Sequence, residues 1–491
     1  MAATVKDWSR PAPEFLRFDH VGAQLSQVGP TVVVEEVTMA ICPGFVPPYL
    51  LERIRQAGAG EQARHAARAL ELDVEHRARR EATGAPQVRG ALPQAGASPA
   101  PHRTITDCHG TTTLPGDVVR REGEAASGDA AADEAYDGLG ATWSLYLEVY
   151  GRDSLDGHGL PLDGSVHYGE QYDNAFWDGT RMVFGDGDGV TFTRFTAAVD
   201  VMGHELTHGV TQLTAGLVYR DQSGALNESV SDVFGSLVKQ RVLGQDAASA
   251  DWLIGAGLFT DRVKGVALRS MKAPGTAYDD PTLGKDPQPA TMSGYVTTTS
   301  DNGGVHLNSG IPNHAFYLAA TAIGGYAWEG AGQIWYDVLT AGTVAPDVDF
   351  AGFAAATIAA AGARFGEGSS QQSAVRDAWA QVEVGVAASG GAAPPPSSSA
   401  GEVVRVERSG GFAGQQLARE VDLADLADDD ARSWQRLLRS GRLQQLVAER
   451  PQPDRFVYRV CCPPHDVDVT AAEHELPDDV RDLLERTLRQ R

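Results

Sequence analysis

"VMGHELTHGV", residues 201–210, decides how this 491-residue chain is read. On an α-helix, residues four apart stand one above the other. His204 and His208 then present two imidazoles on one face, with Glu205 at its rim. Zinc suits two imidazoles and a carboxylate, and leaves a fourth position for water. Bound zinc lowers the pKa of that water to about 7. The five residues alone also fit an ordinary surface helix carrying two solvated histidines, so further residues must decide.

A third ligand is available in "GALNESVSDVFG" (224–235), where Glu228 follows His208 after nineteen intervening residues. That gap suits a second helix packed on the first. Asp232 lies one turn beyond Glu228, placed to accept a hydrogen bond from a ligand imidazole and fix its tautomer. "SDNGGVHLNSG" (300–310) is a glycine-rich turn leading into His306, with Asp301 close by as a partner. "NAFWDG" (174–179) puts Asn174, Ala175 and Trp177 on an expected strand edge, a common way to hold an extended peptide.

Composition narrows the class. The chain has 41 basic and 65 acidic residues, a net charge of −24. Nucleic acid and anionic membranes require basic patches, so neither is expected as a partner. No uninterrupted apolar run reaches the length of a membrane span. Four cysteines in 491 residues make no disulfide framework. The N-terminus "MAATVKDWSRPAPEFLRFDH" has no apolar core after a basic start, so no ordinary secretory signal is visible.

The chain divides by grammar. Residues 1–101 contain a β-branched run "TVVVEEV" (31–37), then helix-patterned residues from Tyr49, Leu50 and Ile54, then an Ala/Arg/Glu-rich stretch at 61–82 expected to be helical and exposed. Residues 102–195 read as strands and turns, with "FGDGDG" (184–189) as a hairpin turn. Residues 196–386 read as helices at 196–213, 227–244, 307–324, 328–341, 349–365 and 371–385. "ASGGAAPPPSSSAG" (388–401), within 387–401, has the composition of a flexible linker. Residues 402–491 read as a small α+β domain, with strands at "EVVRVERSGG" and "RFVYRVCC" and helices near 432–447 and 477–489.

Taken together, "DNAFWDG", "HELTH", "YRDQSGALNESVSDVFG", "LRSM" and "DNGGVHLNSGIPNHAFY" resemble the thermolysin family of zinc metallopeptidases over residues 102–385. The resemblance implies an α+β, two-lobed fold: a β-rich lobe, an α-helical lobe and a zinc cleft between them. It implies that His204, His208 and Glu228 bind Zn²⁺, and that Glu205 takes a proton from the attacking water and passes it to the leaving amine. Tyr219 and His306 would donate to the oxyanion, with Asp301 orienting His306. Asn174 and the Ala175 backbone would hold the substrate main chain, and Arg269 its carbonyl. Val201, Phe192 and Leu268 would line an apolar pocket for the residue after the cut; Phe192 and Val201 fit plain core packing equally well. The family's paired calcium site is expected to be absent, because Lys239 stands where a ligand acid belongs and faces Asp200.

The flanks resemble the protealysin branch. There the leader carries a Pro-Pro-aromatic-Leu segment that covers the active site, and "PPYLLERI" (47–54) fits it. Residues 1–101 then read as a removable inhibitory propeptide, with Cys42 a semi-buried free cysteine or a zinc-directed thiolate. "VRVERSGGFAG" (404–414) resembles emfourin, which implies a tethered inhibitor at high effective concentration; a partner-docking module is the rival reading. Paired Cys461 and Cys462 fit packing better than redox chemistry. The expected activity is a monomeric zinc-dependent neutral endopeptidase acting on proteins or peptides before bulky apolar residues, made as an autoinhibited precursor. Family resemblance implies secretion, with the cytoplasm as alternative. A catalytically silent, permanently occluded peptide-binding protein remains the rival.

Overall fold

A computed structural model describes residues 44–83, 99–385 and, beyond these, four strands, one helix and a few further residues between 403 and 489. Contacts divide the chain into two units, Met1–Ala387 and Ala388–Arg491. The expected strand at 31–37 and Cys42 lie outside the described residues. Among the described residues, no helix is long and apolar enough to cross a membrane.

Pro47 precedes helix α1, Pro48–Ala57. Proline suits the first helical position because its missing N–H has no intrahelical partner there. Helix α2 follows as Glu61–Thr83. The expectation of an exposed helix at 61–82 is corrected: Ala66, Ala69, Leu72 and Asp73 are buried. Their three- and four-residue spacing makes one stripe, and alanines let it sit close on the rest of the core.

The next region holds strands β1 (Thr104–Asp107) and β2 (Asp117–Arg121), helix α3 (Ala130–Tyr150), and strands β3 (Asp163–Val166), β4 (Ala175–Trp177) and β5 (Met182–Phe184). The sheet order is β2-β1-β3-β5-β4, so β4 is an edge strand. Helix α3 corrects the strand-and-turn reading of this stretch. Asp129 caps its start by accepting from the Ala132 N–H at 2.9 Å. Gly151, at φ 67°, ends it in the left-handed conformation. Its alanines and glycines hide the helical period, and Tyr146 ties it forward through a 2.7 Å hydroxyl contact with Thr207.

Residues 184–189 are not a hairpin turn. After β5 the chain runs on to bridge Phe192 to Phe259. The Asp188 carboxylate accepts from the N–H groups of Val190, Thr191 and Phe192 at 2.6–3.0 Å, which folds the loop around it. A side-chain acceptor, rather than strand pairing, sets this turn.

Helices α4 (Val199–Gln212) and α5 (Asp221–Leu243) form the centre of the next lobe. Two glycines set their separation. A Cβ on Gly203 would stand 2.8 Å from Gly235 Cα, and one on Gly235 would stand 2.5 Å from the Asp200 carbonyl oxygen. Only hydrogen fits at either place, so the histidine face of α4 meets the acidic face of α5. Helix α5 begins six residues before the expected 227. Gly224 lies inside it, where a Cβ would come within 2.8 Å of the Tyr219 backbone; close packing, not a turn, explains that glycine.

Short pairs β6 (Leu253–Ile254) with β7 (Arg269–Ser270), and β8 (Asp279–Asp280) with β9 (Gly284–Lys285), lead to the remaining helices. These are α6 (Asp301–Asn308), where a glycine-rich turn was expected, and α7 (Gly310–Ile323), α8 (Ala331–Thr340), α9 (Phe350–Phe365) and α10 (Ser370–Gln381), each near its expected position. Helix α6 is broken by left-handed residues from Asp301 to Gly304. At Gly303 a Cβ would lie 2.1 Å from Asp221 Oδ1, so glycine is required.

The second unit carries strands β10 (Val403–Gly410), β11 (Leu417–Asp422), β12 (Phe456–Cys462) and β13 (Val467–Ala472), in the order β11-β10-β12-β13, and helix α11 (Asp478–Arg489). Alternate residues Val404, Val406, Tyr458, Val460 and Cys462 share a core with Trp434, Val480, Leu483 and Leu484. Cys462 is therefore a packing residue. Trp434 donates to Thr487 at 2.9 Å, which satisfies the buried indole.

Candidate active site

Helices α4 and α5 bring His204, His208 and Glu228 together, each at most 4% exposed, with ligand atoms all within 4.8 Å of one another. The tautomers are fixed from behind. His204 Nδ1 donates to Asp232 Oδ1 at 2.8 Å, and His208 Nδ1 donates to Asn227 Oδ1 at 2.8 Å, with Ser231 Oγ at 3.0 Å. Both Nε2 lone pairs then point inward, 3.0 Å apart, and each lies 3.5 Å from a Glu228 oxygen. Two lone pairs and a carboxylate converging in a dry site call for a cation, and this donor set fits Zn²⁺.

The electrostatics agree. Burial, against the pull of Glu228, lowers the His208 pKa to about 4, which keeps its imidazole neutral. Burial pushes Glu228 up, but His306, His208, His204 and Arg269 outweigh it and bring it down to about 2. Asp232 is held below the ordinary carboxylate range: burial opposes this, and Arg269 and His204 prevail. Its carboxylate also accepts two N–H bonds from Arg269 and one from Asn313, all at 2.8 Å.

Glu205 is fully buried beside the ligands, and its Oε2 accepts from the Trp177 N–H on β4 at 3.0 Å. The Tyr219 hydroxyl donates to Glu228 and lies 3.3 Å from His306 Nε2. His306 is held by Asp301, which takes the ring Nδ1–H at 2.7 Å and the backbone N–H at 3.0 Å. Burial works against a charged His306, but Asp301 and Glu228 raise its pKa above the ordinary value.

Asn174, Ala175 and Arg269 all meet the chain before α1. The Phe45 N–H donates to the Ala175 carbonyl at 2.9 Å, and the Val46 N–H to Asn174 Oδ1 at 2.8 Å. Arg269 Nη1 donates to the Phe45 carbonyl at 3.3 Å. The Phe45 ring stands edge-on to His204, centroids 5.1 Å apart. Phe45, Leu258 and Leu268 converge on Gly255, where a Cβ would lie 3.1–3.3 Å from each. Val201 and Leu268 are buried. Phe192 packs, with tilted rings, in an aromatic cluster with Phe195 and Phe259, at 5.5 and 5.6 Å. Further along, Asp73 accepts from the Tyr172 hydroxyl at 2.6 Å and from Asn174 Nδ2 at 3.1 Å.

Residues 95–212 match the thermolysin metallopeptidase catalytic domain, and residues 215–384 its alpha-helical domain. An extracellular metalloprotease of Pectobacterium carotovorum subsp. carotovorum is 54% identical over 329 residues, covering 66% of this chain and 92% of that protein. The chain belongs to the thermolysin family of metallopeptidases.

As such it has the family's two-lobed α+β fold and is a metalloprotease. The thermolysin of Alicyclobacillus acidocaldarius subsp. acidocaldarius is 41% identical over 288 residues, half of its length. The solved precursor of protealysin, a metalloproteinase from Serratia proteamaculans, is 53% identical with a TM-score of 0.64; the match covers 70% of this chain and all of that one. Residues 406–488 match emfourin, so the second unit is an emfourin-like domain.

Lys239 is buried, with Nζ 3.1 Å from Asp200 and 2.9 Å from Asp251, and it also donates to the Leu253 carbonyl. Burial lowers its pKa, but the two carboxylates outweigh this and raise it above the ordinary value. Residues that sequence reasoning missed are Asn227, Ser231 and Asn313 behind the ligands, and Phe45 and Asp73 before the catalytic lobes. Asn227 and Ser231 sit one turn apart beside Glu228, and that spacing was the available signal.

Proposed function

We propose that this protease is a zinc-dependent neutral endopeptidase that cuts before bulky apolar residues and is made as an autoinhibited precursor. The observation carrying this reading is the convergence of two imidazoles of fixed tautomer and one carboxylate beside a buried glutamate. Zinc, held by His204, His208 and Glu228, would supply Lewis-acid polarisation and water activation. Glu205 accepts the proton of the attacking water and delivers it to the leaving amine. Tyr219 and His306 donate to the oxygen that gains charge, a role suited to a protonated His306. Asp232 and Asn227 keep the imidazole lone pairs aimed. Asn174, Ala175 and Arg269 align the substrate main chain, and Leu268 with Val201 lines the pocket for the residue after the cut. Phe192 supports that pocket from its aromatic cluster.

The segment 44–83 supports autoinhibition, because its Phe45 and Val46 take the very groups assigned to substrate. The emfourin-like domain is proposed as a second, tethered inhibitor. The relatives' printed names support action outside the cell. Once the groove is cleared, a mixture of peptides should be cut before Phe and Leu, with cleavage abolished by a chelator. Uniform cleavage at charged positions, or chelator-resistant cleavage, would sink this reading.

Lys239 supports a calcium-independent fold at this corner. Lys239→Glu would place a third carboxylate with Asp200, Asp251 and the Leu253 carbonyl, a set suited to calcium. Millimolar calcium should then raise the melting temperature of Lys239→Glu and leave the parent unchanged. A calcium-dependent rise in the parent would contradict the proposal.

A further inference from the structure

We propose that the Gly44–Phe45 peptide bond is itself a cleavage site, held in a substrate's register, so that the precursor is inhibited by its own bound substrate. This rests on the assignment of Asn174, Ala175 and Arg269 as substrate-holding groups. Those groups bind consecutive main-chain positions: Ala175 takes the Phe45 N–H, Arg269 the Phe45 carbonyl, and Asn174 the Val46 N–H. Asn174 Nδ2 also reaches the Val46 carbonyl at 3.4 Å. Phe45 therefore stands where the residue after the cut belongs, with its ring against His204 and beside Leu268. The bond that precedes it is Gly44–Phe45.

Gly44 fits that position for a steric reason. A Cβ there would lie 2.5 Å from Asn174 Nδ2 and 2.7 Å from the Ala175 carbonyl oxygen. No real Cβ tolerates such contacts, so glycine alone lets the segment close on β4. Two residues beyond Ala175, the Trp177 N–H donates to Glu205, so one edge strand both holds the bound segment and anchors the proton acceptor of α4.

Hydrolysis here needs only water. Its oxygen bonds to the Gly44 carbonyl carbon, the bond to the Phe45 nitrogen breaks, and the proton passes through Glu205 to that nitrogen. The product that begins at Phe45 stays in place. Leu50, Leu51 and Ile54 of α1 are buried, Gln62 donates to Thr191 at 2.7 Å, and Asp73 holds Tyr172 and Asn174. The new amine of Phe45 remains beside the Ala175 carbonyl, so the nicked chain stays inhibited.

The test uses the full chain. After zinc loading, mass spectrometry of the denatured protein should find a chain beginning at Phe45. Glu205→Gln should show no such fragment. A second readout needs no metal: in metal-free Glu205→Gln, the Phe45 and Val46 amides should be protected from hydrogen exchange. Gly44→Val should then speed their exchange about ten-fold or more. Asp73→Lys opens the same groove by another route if Gly44→Val does not fold. If opened, zinc-loaded chains hydrolyse an added peptide containing one Gly–Phe bond while Gly44–Phe45 stays whole in the parent, the proposal is overturned. Free exchange of the Phe45 and Val46 amides would overturn it too. If the opened chains leave the added peptide intact with zinc bound, it is the peptidase reading that fails.

Discussion

Glu205→Gln, tested in the Asp73→Lys background so that the groove is open, is expected to lower kcat/KM by about a thousand-fold. That corresponds to about 4 kcal/mol of transition-state stabilisation. The amide is nearly isosteric, and its oxygen can still accept from the Trp177 N–H, as Glu205 Oε2 does at 3.0 Å. What it cannot do is take a proton. His204, His208 and Glu228 are untouched, so zinc content should be unchanged. Loss of rate together with loss of zinc would mean that Glu205 shapes the site rather than moving a proton.

Asp232→Ala is expected to have the largest structural effect. The carboxylate takes one proton-bearing nitrogen from His204, two from Arg269 and one from Asn313. Without it, the Arg269 guanidinium, 1% exposed, loses its bidentate partner inside the core. Removing one member of a buried pair costs about 3–5 kcal/mol. His204 also loses the acceptor that fixes its tautomer, and zinc affinity should fall about 10–100-fold. Chemical denaturation and zinc titration read the two effects separately. Near-wild-type stability would show that Glu228 or solvent compensates Arg269 and that the network is less coupled than its geometry implies.

The metal-capable cluster was legible because helical spacing is rigid: His204 and His208, and Glu228 and Asp232, each stand a whole turn apart. The edge strand Ala175–Trp177 was legible from its run of strand formers. Helix α3 was not, because its alanines and glycines leave no clear period until Tyr146 and Leu145 find their neighbours. Asn313 was not, because its partner Asp232 lies 81 residues away. Asp73 read as one more charge on an exposed helix; its burial against Tyr172 and Asn174 follows from tertiary contact alone. The turn at 184–189 misled because Asp188 bonds its own following backbone, which imitates hairpin composition without a second strand.

The most direct test of the central claim is zinc stoichiometry by native mass spectrometry on the full chain, beside His204→Ala and Glu228→Ala. The three converging side chains predict one zinc per chain in the parent and in Glu205→Gln, and none in either ligand variant at equal free metal. Zinc retained undiminished by both ligand variants would contradict the claim that these residues form the catalytic centre.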